Sequence, residues 1–167
     1  MFKGTSASAG IGIGKAVIVE EAELVITRNE VADAEAEIQR FKGALEKTIA
    51  ATQKMADDLA SRVGEKEAEI MQGHMMLLSD PMLTGEIENS VKNDKVNCEL
   101  AIENVCNMYA DMFASMGDEL MQQRATDMRD IKVRMQRTLM GLESVDVSLL
   151  PKGSILVAKD LTPSMTA

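Results

Sequence analysis

Apolar positions along the chain change their period twice. Near the amino terminus Ile11 and Ile13 sit between Gly10, Gly12 and Gly14, and Ala16, Val17, Ile18 and Val19 follow Lys15. This alternation predicts a strand, and a second short strand is expected at Glu23 to Thr27. From about Val31 the period becomes helical. Ile38, Phe41, Leu45, Ile49, Met55, Leu59 and Val63 recur mostly three and four apart and predict one long amphipathic helix ending near Gly64. A second helix is expected from about Lys66 to Leu78. Asp80 can cap a third with Pro81 at its first position, and Leu83, Ile87 and Val91 then fall four apart. Asn97 is a candidate cap for a fourth helix, with Leu100, Val105, Met108, Met112 and Met116 as its stripe and Gly117 at its end. Met121, Ala125, Met128, Ile131, Met135 and Leu139 mark the last long helix, which Gly141 can terminate.

Each of these helices carries one apolar stripe and a charged opposite face, so each is stable only when its stripe packs on the others. The expected result is an antiparallel helical bundle. Burying a Leu, Ile or Met side chain is worth about 1.5 to 3 kcal/mol, well above helix-propensity differences of under about 1 kcal/mol per residue. After the bundle, Ser154 to Lys159 reads as a strand, and Thr162 followed by Pro163 reads as a cap and first position of another helix. Strand character at both ends, with a helix only begun at Ala167, predicts a truncated α/β domain into which the bundle is inserted.

Composition narrows the partners. A chain of 167 residues buries a real core, and 14 methionines against 2% aromatics mean that methionine and aliphatic side chains fill it. The net charge of -9 and pI near 4.7 argue against nucleic acid, whose phosphates need clustered Lys and Arg, and favour a basic protein partner. No apolar run approaches the roughly 20 residues of a membrane helix, and no signal-peptide pattern opens the chain, so a cytoplasmic location without membrane insertion is expected. Cys98 and Cys106, eight apart on one expected helix, stand about 12 Å apart and cannot bridge; buried reduced thiols are expected, and no metal site. Gly12 to Ala16 is not a Walker-type phosphate loop, because Lys15 is followed by Ala16; glycine there suits close backbone approach in a twisted strand.

Gly73 to Pro81, GHMMLLSDP, sets four large apolar residues beside the only histidine. Side chains advance about 100° each along a helix, so Met75, Met76, Leu77 and Leu78 cannot all face one core. Glu65, Glu67 and Glu69 precede the stretch, Asp80, Glu86 and Glu88 follow it, and only Lys66 opposes them. The pattern is open to two readings: a helix end packed among its neighbours, or an apolar docking patch with an acidic rim, where methionine adapts to a partner and rim charge steers it. Asp130 and Arg134, one turn apart, are expected to form a solvated helix pair, and Arg124 and Arg129 read as surface residues on spacing alone.

GHMMLLSDP resembles the G-H-x-M-L-L-x-D segment in the amino-terminal part of bacterial enzyme I, the phosphoenolpyruvate-protein phosphotransferase of the sugar phosphotransferase system. SASAGIGIGKAVI from Ser6, RATDMRDI from Arg124 and ILVAKDLTPSMTA from Ile155 resemble further segments of that family in the same order. The resemblance implies an incomplete phosphohistidine domain at residues 1–28 and 144–167, with a helical subdomain at 29–143 that docks the small phosphocarrier protein HPr. It implies HPr-binding roles for Glu65, Glu67, His74, Met76, Leu77, Asp80, Leu83 and Arg124. The family's E-E-K-E pattern stands here as Glu65, Lys66, Glu67 and Ala68, so the register of charge pairs differs.

Enzyme I takes phosphate from phosphoenolpyruvate on a histidine in a G-G-x-x-S-H-type segment and passes it to HPr. No such segment occurs in these 167 residues, so no catalytic residue is expected here, and His74 suits a docking contact or a packed helix position better than a phosphoacceptor. No cofactor is expected in this chain; magnesium, phosphoenolpyruvate binding and dimerisation belong to the full-length enzyme's barrel, and this stretch is expected to be monomeric. A non-catalytic regulatory or scaffolding helical module is the alternative from another class, and nitrogen-system relatives of enzyme I are an alternative within the family.

Overall fold

The computed structural model describes residues 5, 7–19, 23–142, 147, 150–159 and 161–166. The domain boundary expected at 143–144, the side chain of Glu67, and Ser6, Asp160 and Ala167 of the quoted segments lie outside the described residues. The elements run β1 (Ala16–Val19), α1 (Ala34–Arg62), α2 (Glu65–Leu78), α3 (Pro81–Asp94), α4 (Cys98–Ser115), α5 (Glu119–Met140), β2 (Ile155–Ala158) and α6 (Pro163–Thr166).

Local chemistry sets most helix ends. Asp33 Oδ1 accepts the backbone N–H groups of Glu35 and Ala36 at 3.1 and 3.0 Å and opens α1, whose first turn carries Glu35 and Glu37 at the positive end of the helix dipole. Gly64, at φ 152, turns the chain from α1 into α2. Asp80 accepts the Met82 N–H at 2.8 Å with Pro81 at the first position of α3, and Asp118 does the same for Leu120 at 3.0 Å in α5. Gly141, left-handed at φ 66, closes α5 by donating to the carbonyls of Arg137 and Thr138. Connections of two or three residues between successive helices fold α1 to α5 back on one another, which is the expected bundle. Its core joins Ile38 and Phe41 of α1, Leu78 of α2, Leu83, Ile87 and Val91 of α3, Ile102 and Cys106 of α4, and Met128, Ile131 and Met135 of α5. Both cysteines are buried and unbridged.

β1 and β2 pair in parallel, Ala16 against Ile155 through Val19 against Ala158, so the whole bundle lies in the crossover between them. A Cβ on Gly14 would stand 1.9 Å from the Gly153 carbonyl oxygen, so the approach to the sheet admits only glycine there.

Several expectations are corrected. The amino-terminal strand begins at Ala16, and Ile11 and Ile13 are 95% and 96% exposed, because no partner strand runs beside them among the described residues. Glu23 to Thr27 forms no strand. Pairing begins later, where the Val31 N–H donates to the Lys95 carbonyl at 3.0 Å and the Asn97 N–H to the Asn29 carbonyl at 3.2 Å. In α4 the buried face is Cys98, Ala101, Ile102, Val105, Cys106 and Ala110, while Met108, Met112 and Met116 are exposed; the small residues on that face allow neighbouring helices to approach. Asn97 occupies the cap position without capping: its side chain bonds to Asn29 and Glu99, and Glu37 Oε1 accepts the Cys98 N–H at 2.8 Å instead. Asp130 and Arg134 are both buried and form no solvated pair.

Candidate functional site

Helix α2 resolves the crowded GHMMLLSDP stretch by rotation. His74 and Leu78, four apart, are fully buried; Met75 and Leu77 are half-buried; Met76 is 72% exposed. Glu65 is exposed at the start of the same helix, and Asp80 is occupied in capping α3. Leu83 is packed in the core at 2% exposure. In this structure neither His74 nor Leu83 offers surface to a partner.

His74 lies between two aspartates of α5. Its Nε2 is 3.2 Å from Asp127 Oδ1, and its Nδ1 is 3.9 Å from Asp130 Oδ2 and makes no hydrogen bond. The other oxygen of Asp127 stands 4.0 Å from Arg124 Nη1. Arg124 lies across Gly73, so closely that a Cβ there would meet Nη1 at 2.9 Å. On the far side Asp130, buried, accepts the Ser164 N–H at 3.0 Å on Oδ2 and the Ser164 hydroxyl at 2.7 Å on Oδ1. The carboxylate of α5 therefore supplies the N-terminal hydrogen bond of α6, while the Thr162 hydroxyl meets the Ser164 hydroxyl at 3.1 Å.

Burial, and then the carboxylates of Glu86 and Asp80, push the Tyr109 phenol above its usual range. An open groove between α1 and α2 joins Glu65 and Met76 and is lined further by Asp57, Glu69, Ala56 and Ala68. Glu65 and Met76 thus line one groove from opposite ends of α2, His74 and Arg124 flank the same Asp127 carboxylate, and Leu77, Asp80 and Leu83 are held to packing and capping.

Away from this face, Arg40 makes two 2.8 Å bonds to the two oxygens of Glu99 and bonds Glu37 at 2.6 Å, tying α1 to α4. The hydrogen bond from Arg40 holds Glu37 below the usual carboxylate range. Burial opposes ionisation of Glu99, yet hydrogen bonds from Arg40, the backbone and Asn97 hold it low as well. Arg134 donates to the Thr52 hydroxyl at 2.6 Å, and burial lowers its pKa.

The sequence reading gave Gly73, Asp127 and Ser164 no role of their own and set Asp130 in a solvated pair with Arg134. Arg124, Asp127 and Asp130 stand three apart in RATDMRDI, spacing that puts them along one side of a helix, and that regularity was the available signal.

A helical bundle carried in the crossover between two parallel strands is the architecture of a helical subdomain set into an α/β domain. No helix among the described residues is long and apolar enough to cross a membrane. The chain belongs to the family described as PEP-utilising enzyme, N-terminal, which matches residues 3–124. It is 40% identical over 166 residues to the phosphoenolpyruvate-protein phosphotransferase of Listeria monocytogenes and 38% identical over 166 residues to that of Bacillus subtilis, in each case over 99% of this chain and 29% of the relative. The chain therefore spans under a third of the curated relatives it matches. Among solved structures it is similar to an NMR solution structure of enzyme I, with a TM-score of 0.87 and 36% identity, covering 99% of this chain and 68% of that one. It is also similar to the N-terminal domain of a nitrogen-type enzyme I, with a TM-score of 0.72 and 25% identity over 90% of this chain and 63% of that one.

Proposed function

We propose that this chain is the HPr-docking part of an enzyme I, with residues 29–143 as the docking subdomain and residues 1–28 and 144–167 as a share of the phosphohistidine domain. The whole protein would transfer the phosphoryl group of phosphoenolpyruvate to a histidine of HPr. The observation that carries the reading is Met76, a large apolar side chain left 72% exposed on α2, lining with Glu65 and Glu69 the open groove against α1 and one turn from Gly73 and its overlying Arg124. Such a patch supplies apolar contact to a basic partner, and the acidic rim supplies encounter rate and orientation.

Chemistry inside this chain is not part of the proposal. Its only histidine has no exposed surface, and both ring nitrogens face carboxylates that repel a phosphoryl donor. In this reading phosphoenolpyruvate, magnesium and dimer contacts would belong to the full-length enzyme outside this stretch. Titrating labelled HPr with this chain at low and moderate salt tests the docking. Saturable shifts around the HPr active-site histidine, weakened by salt, are expected; a folded chain that moves no HPr signal overturns the assignment.

A further inference from the structure

The imidazole of His74 has two carboxylate neighbours and, when neutral, one N–H to give. Nε2 is within hydrogen-bonding distance of Asp127 Oδ1 at 3.2 Å, whereas Nδ1 stands off Asp130 Oδ2 at 3.9 Å with no partner, although the ring is fully buried. A bare Nδ1 lone pair facing a carboxylate oxygen repels it, and a donor there would draw it in. The same Oδ2 atom accepts the Ser164 N–H at 3.0 Å. Whatever Nδ1 does is felt by the first turn of α6.

We infer that His74 is a positioning residue whose single ring proton is shared between Asp127 and Asp130, so that the Arg124 side of the bundle and the Ser164 end of α6 compete for it. With the proton on Nε2, Asp127 is served and Asp130 is left to Ser164. When a guanidinium or other cation satisfies Asp127, the proton leaves Nε2 through solvent exchange and a proton returns on Nδ1; the ring stays neutral and the proton count is unchanged. Asp130 Oδ2 then accepts from His74 and its bond to Ser164 weakens. Arg124, 4.0 Å from the outer oxygen of Asp127, is the cation placed to do this. Asp127 and Asp130 face this ring; Arg124 stands at Asp127, and the Ser164 N–H and hydroxyl and the charge of buried Arg134 act on Asp130.

The proton sharing stands on geometry alone. Its connection to a docked partner rests on the function proposed above, because Arg124 belongs to that face.

Since His74 is the only histidine of the chain, ¹⁵N-histidine labelling gives one imidazole and needs no assignment. The parent chain should show a protonated Nε2 and a bare Nδ1. Asp127→Asn should move the proton to Nδ1, because a charge-assisted bond to Asp130 then outcompetes a neutral one to the amide, and should speed exchange of the Ser164 N–H. Asp130→Asn should leave the proton on Nε2. A parent ring protonated at both nitrogens or only at Nδ1 overturns the inference without any variant, as does a ring and Ser164 N–H indifferent to Asp127→Asn in a folded protein. Adding HPr to the parent separates the two readings: absence of HPr binding with the variant response intact removes the docking function alone, while HPr binding without a variant response removes the proton sharing alone.

Discussion

The guanidinium of Arg124 lies directly over Gly73, in space that any β-carbon at residue 73 would enter at 2.9 Å from Nη1. A glycine in the middle of α2 costs helix stability, so its presence is explained by what rests on it.

Gly73→Ala should therefore separate folding from docking. The end of a flexible side chain yields cheaply, and alanine in a helix interior recovers up to about 1 kcal/mol. Urea unfolding should show an unchanged or raised midpoint, while HPr affinity falls about fivefold, on the scale of a lost interface contact of about 1 kcal/mol.

Met76 and Leu83 should respond oppositely although both were expected to bind HPr. Met76→Asp, at an exposed position, should change stability by no more than about 0.5 kcal/mol and weaken docking by roughly 2 kcal/mol. Leu83→Ala opens a cavity in the core and should cost about 2 to 5 kcal/mol of stability, read by chemical denaturation. Leu77, half-buried against the core, should lose both stability and affinity when charged.

Stability should fall in acid. Glu37, Glu99 and Glu103 all have folded-state pKa values below the ordinary glutamate value of 4.5, so their contribution is complete above that value and is lost as pH falls through the depressed ones. Arg40→Met removes the bonds that depress Glu37 and Glu99. The variant should be less stable than the parent at pH 7, and the gap should shrink below about pH 4.5, followed as denaturation midpoint against pH.

The two thiols should be inert in the folded protein. Burial, with the Glu37 carboxylate adding to it, pushes Cys98 up to about 12, and burial pushes Cys106 up to about 12. A thiol reagent at pH 8 should modify neither until denaturant unfolds the bundle, whereupon both should react.

Helices were legible because their signals are local. Gly64, Asp80 with Pro81, and Gly141 act through side chains and backbone angles within a turn of the residue concerned, so the expected end of α1, start of α3 and end of α5 fell within a few residues. The apolar face of α4 was misread because methionine is apolar whether exposed or buried, whereas alanine and cysteine at Ala101, Cys106 and Ala110 reveal their role only when neighbouring helices lie against them. The strand expected at Glu23 to Thr27 failed for the same reason in reverse: an apolar run becomes a strand only where a neighbour accepts its hydrogen bonds.

For the candidate site, sequence alone determined that Met75 to Leu78 could not all face one core, since 100° per residue is a property of any helix, and left packing among neighbours and an outward patch both open. Tertiary structure decided which member stays outside. Packing of α2 on α1 and α5 left Met76 outward with Leu78 and His74 inward, and set His74 between Asp127 and Asp130, residues more than fifty positions away. Spacing along a chain specifies the faces of a helix; only packing chooses which face meets water, because that choice depends on surface supplied by every other element.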